Sequence, residues 1–298
     1  MTGNTPQTIA EYLQQLRAAL AGADPAMIQD ALFDAEEHLR SELAEHPEET
    51  EAAMLARVAG SYGAPEEVAE IYRDTEIKVQ RALRPPRPRA GRGPLARFFG
   101  VIGDARSYAA LFYMLLALAT GIFYFTWVVT GLSLSAGLAV LIIGIPFIVL
   151  FLASTRLLAL VEGRLVEVML GVRMPRRPAS AVRELPLFKR IGAMFTDPRT
   201  WGTLFYMLLM LPLGIIYFTV VVTGITLSLA LIAMPVAQLF GFAPTMVNDV
   251  AYFWPLWTLP FSMLGGVLLL FVMLHIARGV GWMHGHVAKH LLVTTAGY

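Results

Sequence analysis

Four histidines near one end of the chain, His275, His284, His286 and His290, come nearest to the spacing of a metal site. His286 and His290 stand four apart, so a helix would present both imidazoles on one side. No carboxylate lies in that stretch and Lys289 stands between them. The expectation is therefore a cationic amphipathic helix on a membrane surface, with no metal bound. A second grouping, Glu36-Glu37-His38, also has ligand chemistry. Three consecutive residues of a helix point in different directions, so Asp34, Glu36, Glu37 and His38 read as a surface for a protein partner. Ser133 and Ser135 have no histidine near them in sequence. Gly-x-Gly-x-x-Gly, a phosphate-binding loop, Gly-x-Ser-x-Gly and His-Glu-x-x-His are all missing. With no cysteine in 298 residues, thiolate metal sites and cysteine nucleophiles are excluded as well. No catalytic residue, cofactor or metal is expected.

The elements that carry these residues fall into two contrasting halves. Hydrophobic residues make up 56% of the chain and charged ones 15%, against about 25% charged in a soluble domain. The net charge of +1 hides a division at residue 80: 16 acids and 5 bases before it, a net −11, and 6 acids and 18 bases after it, a net +12. In the acidic part, Ile9, Tyr12, Leu13, Leu16 and Leu20 repeat at three and four residues, the face of one helix. Asp24-Pro25 caps and opens a second, with apolar Ile28, Leu32, Ala35, Leu39 and Leu43. A third passes through Met54, Leu55 and Val58, and Pro65-Glu66-Glu67 opens a fourth. The chain's first residues carry no basic stretch before an apolar one, so no secretory signal is expected and the acidic part stays where it is made.

Three stretches carry a family likeness: Tyr12-Leu13-x-x-Leu16, Asp34-Ala35-Glu36-Glu37-His38-Leu39, and Gly60-Ser61-Tyr62-Gly63-Ala64-Pro65-Glu66-Glu67-Val68-Ala69. Over residues 8 to about 73 the chain resembles the HAAS signalling-domain family. That resemblance implies a cytoplasmic helical domain linked with PadR-like transcription regulators and fused to membrane segments. The chain departs from the family's closing leucine-glycine-aspartate-proline, having Tyr62-Gly63-Ala64-Pro65.

Residues 81–97 hold six arginines, four prolines and two glycines, a composition suited to an extended tether. Placed just before an apolar run, its charge points to anionic lipid headgroups and not to nucleic acid. Four apolar spans follow, about 108–130, 137–157, 202–223 and 252–276, each long enough to cross about 30 Å of hydrocarbon. The eighteen bases lie at Arg81 to Arg106, Arg156 to Arg199, and Arg278 with Lys289. By the positive-inside rule both ends and the central loop are cytoplasmic, in a bacterial inner membrane.

A repeat organises the spans. Shifted by 93, Leu111–Ser135 lies over Leu204–Ser228 with 18 of 25 residues identical. Arg97, Asp104, Arg106 and Tyr108 likewise lie over Arg190, Asp197, Arg199 and Trp201. Two parallel repeats are expected, residues 98–187 and 188–298. Downstream, Gly163-Arg164-Leu165 matches Gly285-His286-Val287 at an offset of 122. Tyr124, Thr126, Tyr217 and Thr219 are the expected polar contacts between repeats, and Gly121, Gly131, Gly214 and Gly224 the points of close helix approach. The second copy has about 29 extra residues. Of these, 225–240 could prolong a span, re-enter the membrane or lie on it, and the aromatic segment with Asp249, Trp254 and Trp257 is either an outer sensing element or an interface belt.

Gly214-Ile215-Ile216-Tyr217-Phe218-Thr219 and Val222-Thr223-Gly224, with Leu157 to Gly171 and Leu274 to Leu292, resemble a family of sensor-domain membrane proteins fused to bacterial signalling modules. The fold expected is all-α: a small cytoplasmic helical bundle (1–80), a linker (81–97), and a four-helix transmembrane module of two repeats. The function expected is membrane signalling through a cytosolic protein partner, with the lipid bilayer as the other partner and homo-oligomers open. A transport or channel subunit, or a structural membrane protein, is the alternative.

Overall fold

In a computed structural model, residues 5–83, 93–141, 143–177, 192, 196–242, 245–247 and 250–293 are described. The fold is helical: α1 Ile9–Ala19, α2 Pro25–Glu45, α3 Glu51–Val58, α4 Pro65–Leu83, α5 Pro94–Phe99, α6 Ala105–Leu138, α7 Gly144–Leu170, α8 Pro198–Leu239 and α9 Leu259–Leu292. One small antiparallel hairpin, Thr245–Val247 with Val250–Tyr252, lies between α8 and α9. Two compact units are formed, one from residues 1–85, 131–206 and 286–298, the other from 86–130 and 207–285. Their borders fall inside α6, α8 and α9 and do not follow the sequence repeat. Most of the Arg/Pro-rich linker, residues 84–92, lies outside the described residues.

In the first unit, α1 to α4 form the expected acidic bundle. Hydroxyl and carboxylate caps start its helices: Thr8 Oγ1 accepts from the Glu11 amide at 3.2 Å, Asp24 Oδ1 from Ala26 at 2.9 Å, and Thr50 Oγ1 from Ala53 at 3.3 Å. Leu16, Leu20, Leu39 and Met54 are fully buried in its core. The Tyr12 hydroxyl donates to the Gly63 carbonyl at 2.9 Å, where a backbone φ of 108° requires glycine.

Four helices are long and apolar enough to cross a membrane: 105–138, 144–170, 198–239 and 256–292. They match the expected spans in number and exceed them in length. Apolarity marks only the part in hydrocarbon, whereas the backbone ladder continues until something stops it. Residues 225–240 therefore prolong the third span. Pro235 and Pro212 both sit inside α8, as proline does where neighbouring helices compensate. The expected separate surface helix around His286 and His290 is also corrected, since α9 runs unbroken to Leu292.

The predicted close approaches are present. In the second unit a Cβ added at Gly121 would fall on the Met210 carbonyl oxygen, and one at Gly214 on that of Ala117. Residues 117 and 210 are themselves equivalent under the shift of 93, so the two first helices of the repeats cross backbone to backbone. Gly131 faces the Phe151 ring in one unit, and its equivalent Gly224 faces Met273 in the other.

Candidate functional site

An ionic hub in the first unit brings together residues far apart in sequence. Arg173 follows α7, whose end is set by Gly171 at φ 71°. Its guanidinium reaches Asp30 on α2 at 2.9 Å, Glu76 on α4 at 3.2 Å and Glu167 on α7 at 3.5 Å. All four side chains are at most 9% exposed. The other Asp30 oxygen accepts the Arg176 and Arg177 amides at 2.6 and 2.8 Å. Burial pushes the Asp30 carboxyl above the usual carboxylate range, against the pull of those amides and of Arg173. Burial also acts to lower Arg173, but Asp30 and Glu76 overcome it and hold the guanidinium charged.

Around the hub, Arg177 pairs with Asp34 at 3.0 Å and lies 5.7 Å over the Phe33 ring. Arg176 and Arg164 both reach Glu167, at 3.2 and 2.9 Å. Gln29 donates to the Arg177 carbonyl at 2.7 Å. Lys289, at the end of α9, pairs with Asp24 at 2.5 Å. A cavity of about 360 Å³ opens here, lined by Asp30, Asp34, Tyr72, Glu76 and the arginines 164, 173, 176 and 177. The acidic bundle is thus docked on the segment that follows the second span and on the end of the fourth.

Of the predicted partner residues, Asp34 touches the docked segment. Asp34 is held by Arg177 and by the Tyr72 hydroxyl at 3.1 Å. Glu36 pairs with Arg40 one turn on, at 2.8 Å, and His38 stacks on Tyr62 at 4.4 Å. Glu37 is exposed. Asp30, Glu76, Glu167 and Arg173 were not among the sequence candidates.

Within the spans, the polar contacts follow the repeat in an exchanged pattern. In the first unit the Tyr206 hydroxyl donates to Glu162 Oε1 at 3.0 Å. In the second, the Tyr113 hydroxyl meets His284 Nε2 at 2.7 Å and the Tyr217 hydroxyl meets Nδ1 at 3.2 Å. A neutral imidazole has one bare nitrogen and one N–H, so one tyrosine donates and the other accepts. Tyr113 and Tyr206 are equivalent at offset 93, Glu162 and His284 at offset 122, and both of the latter are fully buried. The helix starts behave alike. Asp104 caps α6 through the Arg106 amide at 3.1 Å and pairs with Arg278 at 3.4 Å; Asp197 accepts from the Arg199 amide at 3.0 Å and pairs with Arg156, also at 3.4 Å. In the Tyr113, Tyr206, Asp104–Arg278 and Asp197–Arg156 contacts, one copy's first helix or its start meets the other copy's second helix.

The expected inter-repeat set is corrected accordingly. Tyr124 and Tyr217 are buried, but Thr126 and Thr219 are exposed, because helix positions two apart point to opposite sides. Tyr217 bonds within its own copy, whereas Tyr113 and Tyr206 bond from one copy to the other. The equivalence of Glu162 with His284 was available from the offset of 122. It is masked by the shorter span that hydropathy draws, which ends before Glu162. In the outer segment, Gln238 clamps Trp254 by both backbone groups at 2.6 and 2.9 Å, and Trp257 is exposed against Phe261. Asp249 lies outside the described residues. Among the described residues no group of three or more His, Asp or Glu is placed to hold a metal.

Residues 113–292, which hold both exchanged tyrosine contacts, match the family model described as Putative sensor. The chain belongs to that family. The sensor-family match runs from within the first membrane-capable helix to the end of the fourth and leaves α1 to α4 outside it. Neither the curated proteins nor the solved structures returned a match. The sensor domain and its four apolar helices are those of a membrane protein.

Proposed function

We propose that this chain is a bacterial cytoplasmic-membrane sensor whose acidic helical bundle binds a cytosolic regulatory partner. The HAAS likeness suggests a PadR-like transcription regulator as that partner. The observation that carries the reading is the docking itself: Asp30 on Arg173 and Asp24 on Lys289 gather the first helices, the segment after the second span and the end of the fourth. Such contacts require even numbers of crossings between these segments, and the eighteen bases favour the cytoplasmic side for all three. The acidic bundle is then within reach of a soluble regulator, and a change in the spans is passed to it through α7 and α9. Deleting residues 1–80 should abolish capture of a cytosolic regulator and spare membrane insertion; capture that survives the deletion refutes the reading.

A transport role has one observation in its favour. Glu162 and His284 are ionisable groups fully buried in span helices, a placement common on ion and proton pathways. Proton flux in reconstituted vesicles that disappears in Glu162→Gln would support it, and no flux would remove it.

A further inference from the structure

The arginines around the hub are of two kinds. Arg173 is buried among its carboxylates, whereas Arg164, Arg176 and Arg177 are 49%, 44% and 52% exposed at the mouth of the cavity. Beside them, α7 exposes Leu157, Val161 and Val168, an apolar stripe at helical spacing that reaches past Arg164. A helix of 27 residues is about 40 Å long, the thickness of a bilayer with its headgroups. With lipid against α7 as far as Val168, the three exposed arginines stand at headgroup depth. A phosphate presents to guanidinium the same forked pair of oxygens as a carboxylate. For an exposed arginine, pairing with a carboxylate and attraction to an anionic membrane surface are of the same order.

We propose that phosphate groups, supplied by anionic lipid, compete with Asp34 for Arg177 and with Glu167 for Arg164 and Arg176, so that inner-leaflet charge pulls on the segment whose 176 and 177 amides hold Asp30 and sets how firmly the acidic bundle stays docked. The buried contacts of Arg173 with Asp30 and Glu76 give the docked state its register, and the exposed arginines make it adjustable. In the docked state Asp34 is paired with Arg177 and also accepts from Tyr72 of its own bundle; release removes Arg177 and uncovers that side of α2. This regulation rests on the partner reading for its purpose, but not for its physics.

The test uses the full chain, whose lack of cysteine makes a nitroxide pair at Glu37→Cys and Val168→Cys unique. Spin–spin distances are measured in nanodiscs of phosphatidylcholine alone and with stepwise added phosphatidylglycerol. One narrow distance is expected in the first, and a broad longer population in the second, with a roughly tenfold change in the docked-to-released ratio. Asp30→Asn in phosphatidylcholine provides the released reference. Inorganic phosphate is added to phosphatidylcholine discs beside sodium chloride of equal ionic strength: release by phosphate beyond that by chloride supports the shared chemistry with a soluble source. Distances unchanged by phosphatidylglycerol while Asp30→Asn lengthens them overturn the proposal, as does release by chloride equal to that by lipid and phosphate. No partner is present in this assay, so failure to capture a regulator leaves its result intact.

Discussion

Replacing Arg173 by methionine keeps most of the side-chain volume and removes the charge that three buried carboxylates share. Removing one partner of a buried ion pair costs about 3–5 kcal/mol. Asp30 keeps the Arg176 and Arg177 amides at 2.6 and 2.8 Å, and Glu167 keeps Arg164 and Arg176 at 2.9 and 3.2 Å. Glu76 is left with Gln80 at 3.4 Å. The lower end, about 3 kcal/mol, is therefore the right magnitude, and it corresponds to roughly a hundredfold in the docking equilibrium. Hydrogen exchange reads this directly, because Asp30 on the docked bundle accepts the Arg176 and Arg177 amides. Their exchange should accelerate by about a hundredfold in Arg173→Met, and α2 should lose protection on the side of Asp30. Adding Asp30→Asn and Glu76→Gln removes the stranded charges and should recover much of the loss. Unchanged exchange at 176–177, or a triple variant no better than the single one, would refute the reasoning.

Other outcomes follow from the same contacts. Gly121→Ala and Gly214→Ala should each lower thermal stability in detergent by about 1–3 kcal/mol, and the double variant by less than their sum; Gly279→Ala, whose added Cβ meets nothing, is the control and should change little. Tyr206→Phe takes a donor from buried Glu162 and should cost about 1–3 kcal/mol, read in the same melts. Burial raises the Tyr12 phenol, with Tyr62, Glu66 and Glu67 adding to it. The neutral form is the one the fold favours, so its contribution is complete below the ordinary value of about 10 and is lost as pH rises beyond it. Tyr12→Phe should weaken the bundle by about 1 kcal/mol near neutral pH through the lost bond to Gly63, and flatten the alkaline decline seen in circular-dichroism melts; an equally steep decline would contradict this assignment.

Much of the architecture is legible in the sequence because it depends on local order. Helix periodicity and caps give α1 to α4, and apolar length gives the four spans. The repeat marks the glycines at which helices cross. The hub is different: Asp30 and Arg173 are 143 residues apart, and no local pattern pairs them. A trace of it exists, since Asp30 lies on the buried stripe of Met27, Ala31 and Ala35, an expensive place for an unpaired carboxylate. In the sequence the −11 and the +12 stand apart, a bundle and a basic membrane half joined by a tether. In the structure, bases of the second half, Arg173, Arg177 and Lys289, are direct partners of the acidic bundle. Thr126 and Thr219 were misjudged for a simpler reason, a helix position two residues from a buried tyrosine.

The central claim is that the acidic bundle, the segment after α7 and the end of α9 stand together on the cytoplasmic side. Single cysteines at Glu37, Arg177 and His290, and at the exposed turn positions Val140 and Phe242, test it with a thiol reagent that does not cross membranes, applied to spheroplasts. The account predicts that the first three stay unlabelled until the membrane is permeabilised and that Val140 and Phe242 label from outside. Labelling of Glu37, Arg177 or His290 in sealed spheroplasts would contradict it.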